Sequence, residues 1–261
     1  MTGRGKEAQA ASLRRRTCGG PVLSRVKTAR DGPNRACTGW RLLVQSHPRR
    51  RIGLLNHTFA VMNELGHGDN AQMPIKENQN YLIGVRRFRP DDAPLLFGAV
   101  GESLEALCRL MTWCCPDYSL EDSQAFIARC HYAWEWGLEY NFAIIDARDK
   151  TLIGSIGLNR IDWAHHCANI GFWVRQTWTR RGVATATARL IAEFGLRDLG
   201  LQRLELLVPA HNLASLRVAA KLGAKFEGVL RNRVFLANQV YDACVFGLVR
   251  ADLTSPNLRH P

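Results

Sequence analysis

From Tyr81 onward, short apolar runs alternate with stretches of helical spacing, and this alternation restricts the fold more than any other feature of the chain. Strands interleaved with amphipathic helices bury their apolar faces only as layers, which points to an α/β domain. Tyr81 to Arg87 reads as a strand. Pro90-Asp91-Asp92-Ala93 starts a helix with acids in its first turn, where the helix dipole favours them. Ser119-Leu120-Glu121-Asp122 has the form of a capping box and opens an amphipathic helix through about Trp136. Phe142 to Asp146 and Leu152 to Ile161 flank a turn and read as a hairpin, and Asn169 to Arg175 is the next strand. A polar, basic turn at Thr177 to Gly182 leads into a helix from about Val183 to Asp198, terminated by Gly200. Leu201 to Val208 returns as a strand, and His211-Asn212 caps a helix that closes at Gly223. Phe226 to Leu230 and Val234 to Val249, with a turn at Ala237-Asn238, read as the closing strands. The predicted unit is a mixed, mostly antiparallel sheet with helices, over residues 79–254, with a short tail at 255–261.

Residues 1–78 behave differently. They hold 14 Lys and Arg against 5 Asp and Glu, so +9 of the chain's formal +12 lies in the first 80 residues, leaving the α/β part near neutral. Without a sustained period of 2 or 3.6, and with Arg14-Arg15-Arg16 and Arg49-Arg50-Arg51 repelling within themselves, this stretch is expected to be a basic, disordered extension. It fits an organelle transit peptide or a polybasic arm, but Met62 and Met73 stand as alternative starts, and the reading preferred is that it lies outside the natural product. The concentration of charge outside the α/β part argues against nucleic acid as the partner. No apolar run reaches the roughly 18 residues of a membrane span, so no membrane partner is expected. The eight cysteines include no Cys-x-x-Cys pair, which fits reduced thiols in a cytoplasmic protein without structural metal.

Chemistry concentrates at Trp173 to Thr185, where an apolar strand runs into a helix start. A helix start offers unpaired N–H groups and partial positive charge, Gly182 permits close approach of an anion, and Arg180 and Arg181 add mobile cations. On this segment alone, a pyrophosphate cradle and an ordinary basic turn are equally good readings. The run Asn212 to Arg231, of pattern N-x-x-S-x-x-x-x-x-K-L-G-x-x-x-E-G-x-x-R, follows at a set distance. With the Thr179 to Ala184 turn, it resembles the GNAT N-acetyltransferases, in particular the RimJ/RimL-type group that includes ribosomal-protein N-terminal acetyltransferases; the resemblance spans about Tyr81 to Leu253.

That resemblance implies a GNAT fold with six to seven strands, about four helices and splayed central strands, and acetyl-CoA as donor. The pantetheine arm would lie along Phe172, Trp173 and Val174, with an amide near Trp173 polarising the thioester carbonyl. The pyrophosphate would meet Thr179, Arg180, Arg181, Gly182, Val183 and Ala184, with Asn212 and Ser215 beside the arm. Ser215 would protonate or hydrogen-bond the coenzyme sulfur. Glu205 is a candidate proton relay, and Trp113 and Tyr118 would belong to the acceptor wall. Two departures stand out: Thr179 occupies a position usually Gln or Arg, and Val234 occupies that of the family's proposed general base, a Glu.

The loss of that Glu is tolerable for one class of acceptor. A protein α-amine has a pKa near 7.7–8.0, whereas a lysine amine is near 10.4, so the former is substantially neutral at physiological pH. The expected activity is acetyl transfer to a primary amine, favouring a protein N-terminus, by direct attack through a tetrahedral intermediate. Acceptors such as a polyamine, amino acid or aminoglycoside remain open, served by Glu102, Glu105, Asp117, Glu121 and Asp122, as does a non-catalytic acyl-CoA sensor. His211 and Asp242 are weaker candidates for the base, and His165-His166 lack metal spacing. The protein is expected as a monomer or homodimer.

Overall fold

A computed structural model of the chain describes residues 73–77 and 82–253. Eight strands form one sheet: β1 (Met73–Glu77), β2 (Leu82–Arg87), β3 (Tyr140–Asp146), β4 (Leu152–Asp162), β5 (Cys167–Val174), β6 (Arg203–Pro209), β7 (Lys225–Leu236) and β8 (Gln239–Leu248). Their order is β1-β2-β3-β4-β5-β6-β8-β7. Every pairing is antiparallel except β5 with β6. The helices are α1 (Ala93–Glu102), α2 (Leu104–Leu110), α3 (Leu120–Glu135), α4 (Val183–Glu193), α5 (Leu213–Leu222) and α6 (Arg250–Leu253).

Alternation along the central strands divides the apolar side chains between two cores. Tyr140, Phe142 and Ile144 of β3 pack in the core that takes Val183, Ala188 and Ile191 of α4 and Ala219 and Leu222 of α5. Ala143 and Ile145, from the other face of the same strand, pack with Leu96 and Val100 of α1, Leu107 of α2 and Ile127 of α3. A strand buried on both faces needs a near-continuous apolar run, which β3 supplies.

Local chemistry fixes the helix ends. Ser119 Oγ accepts from the Asp122 amide at 3.2 Å while Asp122 accepts from the Ser119 amide at 2.9 Å, the capping box expected for α3. Asn212 caps α5 by accepting from the Ser215 amide at 3.1 Å, and Gly223 closes the helix at φ 85°. Before α1, Asp92 does more than complement a dipole. Its carboxylate receives both terminal nitrogens of Arg86, at 2.6 and 2.7 Å, and the Arg89 amide at 2.8 Å, so a buried charge on β2 is fully partnered.

The α/β class, the hairpin and the Ala237-Asn238 turn match the sequence reading, both turn residues being left-handed. Other details differ. β1 falls inside the stretch assigned to the extension, the rest of which lies outside the described residues, as does the tail from residue 254. The seven-residue α2, which separates α1 from α3, is too short to declare a period. The end of the fourth helix, Phe194–Asp198, widens into a π-turn. The strand read as two pieces around residues 231–233 is one, β7, with a register shift between Leu230 and Val234. Among the described residues, no helix is long and apolar enough to cross a membrane, and no group of three His, Cys, Asp or Glu is placed to hold a metal ion.

Candidate active site

β5 and β6 pair only at Cys167↔Arg203, Ala168↔Leu204 and Asn169↔Glu205. Beyond Asn169 the two strands part, leaving Ile170–Val174 and Leu206–Pro209 without each other. Asn169 marks the apex. Its Oδ1 accepts from the Leu207 amide at 3.1 Å, taking up a donor the ladder has released, and its Nδ2 donates to Asn159 Oδ1 at 3.0 Å.

The backbone facing the gap follows from alternation. The Arg175 amide donates to the Ile153 carbonyl of β4 at 2.7 Å, and peptide groups two residues apart in a strand point the same way. Trp173 therefore directs its amide to β4, while Phe172 and Val174 direct theirs into the opening. Side chains divide likewise: Phe172 and Val174 pack with the α4–α5 core, and Trp173 with the α1–α3 core. The amides open to the gap beside Trp173 are thus those of its two neighbours and not its own.

At the mouth of the gap, β5 runs into a short 3₁₀ turn, Gln176–Trp178, and then into α4. Arg180 at φ 61° and Gly182 at φ 77° are both left-handed, a backbone that turns successive N–H groups to one side as an anion nest. Gly182 is the N-cap of α4 and supplies no capping side chain; the first α-helical bond is Ala186 N to Gly182 O at 3.0 Å. The amides of Val183, Ala184 and Thr185 therefore have no intrahelical acceptor. Thr179 does not disturb the cradle, since its hydroxyl donates locally to the Gln176 carbonyl at 2.8 Å.

Gap and cradle open into one cleft of about 700 Å³. Its lining includes Phe172, Trp173, Val174, Thr179, Arg180, Gly182, Val183, Ala184, Asn212 and Ser215, ten of the residues expected to hold the donor. Leu107, Leu110 and Met111 of the α2 region close one side, and Arg217 and Lys221 of α5 stand on another. No Asp, Glu or His is part of the lining among the described residues. The Ser215 hydroxyl is not engaged by any described residue, so it is not bonded back to its own turn.

The other expected site residues stand outside the lining. Arg181 lays its guanidinium over the Trp178 ring, 4.6 Å from the centroid. Glu205 sits at the apex beside Asn169, where Arg203 Nε donates to it at 3.0 Å while the same guanidinium grips Glu227. Trp113 packs on Trp173 with centroids 6.1 Å apart, and Tyr118 lies 6.0 Å from Trp113 and 6.4 Å from Phe97, so the pair forms an aromatic layer behind the cleft wall. His211 packs on Tyr241, and Asp242 accepts from the Asn232 amide at 2.8 Å, holding the bend in β7. His165 has an acidic partner, Asp162, whose Oδ2 lies 2.7 Å from its Nδ1 on the exposed β4–β5 turn.

The carboxylates proposed for a cationic acceptor are largely committed elsewhere. Glu102 ion-pairs with Arg175 Nε at 2.5 Å and accepts from the Thr177 hydroxyl at 2.7 Å, while Ser103 Oγ accepts from the Gln176 amide at 3.0 Å. These contacts latch the end of α1 to the turn before the cradle. Burial alone would push the Glu102 carboxyl up, but the Thr177 hydroxyl and amide and the Arg175 charge outweigh it and hold the group below its ordinary value. Glu105 pairs with Arg109, and Asp122 is consumed by its cap.

Sequence reasoning missed Asn169, Arg217, Lys221 and the α2 lining. For Arg217 and Lys221 a signal existed, since both follow the Asn212 cap at spacings that share a helix face with Ala214. For Asn169 there was none, because only the register makes it the apex.

Fold and cleft together have the layout of a coenzyme A-dependent acyltransferase. The chain matches the acetyltransferase (GNAT) domain over residues 83–225, and it belongs to that family. It is 31% identical to "Probable N-acetyltransferase YjcK" of Bacillus subtilis (strain 168), over 52% of this chain and 75% of that protein. It is 25% identical to "Putative ribosomal N-acetyltransferase YdaF" of the same organism, over 66% of this chain and 94% of that protein. Among solved structures, Mycobacterium smegmatis RimJ in complex with CoA-disulfide superposes with a TM-score of 0.63 at 19% identity, covering 70% of this chain and 89% of that one. The chain is an N-acetyltransferase of that family.

Proposed function

We propose that this protein acetylates the N-terminal α-amine of a protein substrate, and that the amine attacks without a general base from the enzyme. The observation that carries the reading is the absence of any Asp, Glu or His from the cleft lining among the described residues, beside the apolar wall of Leu107, Leu110, Met111 and Trp173. A polyamine or aminoglycoside brings several positive charges and needs several carboxylates, which the cleft lining does not supply among the described residues. The similarity to YdaF, whose name refers to a ribosomal acceptor, supports the same choice.

In this reading the neutral amine nitrogen bonds to the thioester carbonyl carbon, the C–S bond breaks, and the proton released from nitrogen accompanies the departing sulfur, giving an amide and CoA. The chain supplies fixed dipoles rather than proton transfer. Amides of Phe172 and Val174 hold the extended arm and polarise the carbonyl, preorganised donors being commonly the largest catalytic contribution. Amides of Gly182 to Thr185, with Arg180, hold the diphosphate. Ser215 donates a hydrogen bond to the leaving sulfur, a modest task because a thiol near pKa 8.5 departs without a strong acid. Trp113 and Tyr118 stiffen the wall against which the acceptor's first side chain rests.

The test is thiol release with acetyl-CoA across a pH series, using short peptides with open N-termini, the same peptides N-capped but bearing lysine, and spermidine. With no enzymatic base, kcat/KM for open peptides rises through about pH 8 and then levels, tracking each peptide's own α-amine, while lysine-only peptides lag by about two orders of magnitude at neutral pH. Faster turnover of spermidine than of every open peptide overturns the acceptor. An acidic limb at the same pH for every acceptor overturns the base-free attack.

A further inference from the structure

Arg217 and Lys221 of α5 line the cleft one helical turn apart, and neither they nor Arg180 have an ion-pair or hydrogen-bond partner among the described residues. Like charges at i and i+4 disfavour a helix. Here nothing within the described protein offsets that cost, and the lining holds no carboxylate that could. Three cations around one cleft without internal compensation point to a ligand carrying more than one anionic group.

The proposal rests on acetyl-CoA occupying this cleft. CoA carries its charge in two places: a diphosphate diester, and a 3′-phosphate monoester with about −1.5 to −2 charge near neutrality, by analogy with other phosphomonoesters. The nest and helix start around Gly182 suit the diphosphate, because backbone amides there reach an anion that approaches closely. The two α5 side chains differ in kind. They are long, mobile and farther along the helix than Ser215, which is placed at the sulfur end; Lys221 lies about 9 Å beyond Ser215 along the axis at ~1.5 Å per residue.

We propose that Arg217 and Lys221 form a subsite for the 3′-phosphate, so that the protein distinguishes CoA from dephospho-CoA. Arg217 can present two parallel N–H donors to the phosphate oxygens and Lys221 a point charge beside them.

The experiment is calorimetric titration of the full chain with CoA and with dephospho-CoA, repeated for Arg217→Ala/Lys221→Ala and for the conservative Lys221→Arg. Circular dichroism and thermal unfolding confirm that each variant folds. The intact protein is expected to prefer CoA by about tenfold or more. The double alanine variant should lose that preference by weakening CoA alone, and Lys221→Arg should retain it. Raising salt from 50 to 300 mM should shrink the preference in the intact protein and leave the double variant unchanged. Equal binding of both nucleotides by the intact protein overturns the subsite while leaving the cleft as the CoA site. Equal weakening of both nucleotides in the double variant also overturns it, assigning the pair to the diphosphate. Binding of neither nucleotide by the intact protein removes the subsite together with the underlying donor-site reading.

Discussion

Gly182 shows how a single position unites backbone strain with binding. At φ 77° it occupies the left-handed region, where a β-branched residue is strongly disfavoured, and it caps α4 without a side chain that would compete for the helix amides. Gly182→Val should lower unfolding stability by about 1–2 kcal/mol and weaken CoA binding by more than that loss explains. Calorimetry settles the point: a variant that folds and binds CoA as tightly as the parent contradicts the cradle. Asn169 acts at the other end of the gap. Asn169→Ala strands the Leu207 amide and should cost about 1–2 kcal/mol in urea unfolding, whereas Gln, one methylene longer, should not fully restore it. The two residues were unequally visible beforehand. Gly182 announced itself by standing between two arginines and a helical pattern, but nothing in a single sequence distinguishes an asparagine at a strand junction from an asparagine in any turn. Glu205 is engaged by Arg203, two residues earlier on the same strand, and the same guanidinium reaches across to Glu227 of β7.

Elements with full-length periodicity were readable and short or irregular ones were not. α3 and α5 carried caps and amphipathic spacing, so their ends lay within a residue or two of expectation. α2 has seven residues and β7 is nearly all exposed, so neither shows the contrast on which a pattern depends. The consequence for function is real, because α2 supplies the apolar wall and its neighbour α1 is tied through Glu102 to the turn that precedes the cradle. That tie carries a pH dependence. Glu102 is held below its ordinary pKa in the folded protein, so its contribution is complete above the usual carboxylate range and fades as pH falls through the folded value. Amide exchange at Gln176 and Thr177 should therefore accelerate, relative to the global rate, below about pH 4.5. Glu102→Gln should show accelerated exchange at neutral pH with little further change in acid. Equal exchange in both proteins at both pH values would dismiss the latch.

For the whole molecule, class and order of elements followed from pattern, while the fork depended on resemblance, since whether two neighbouring strands separate is a matter of register. An acetyl group donor that fills the fork should stabilise the fold by mass action, by about 2.7 kcal/mol at a hundredfold excess over Kd. A thermal unfolding midpoint that does not move with CoA concentration would contradict this. The thiols offer a second global check. Burial pushes Cys130 up to about 12, so in the native protein it should resist alkylation at pH 8 and react only after unfolding.

The parting of β5 from β6 has one more consequence. An unfinished stretch of sheet is a template, and any extended chain of suitable width can be stitched into it by main-chain bonds alone. A donor-starved preparation would then be vulnerable to blockage by stray peptide or by the loose end of a neighbouring molecule, and supplying CoA during purification should act as a guard.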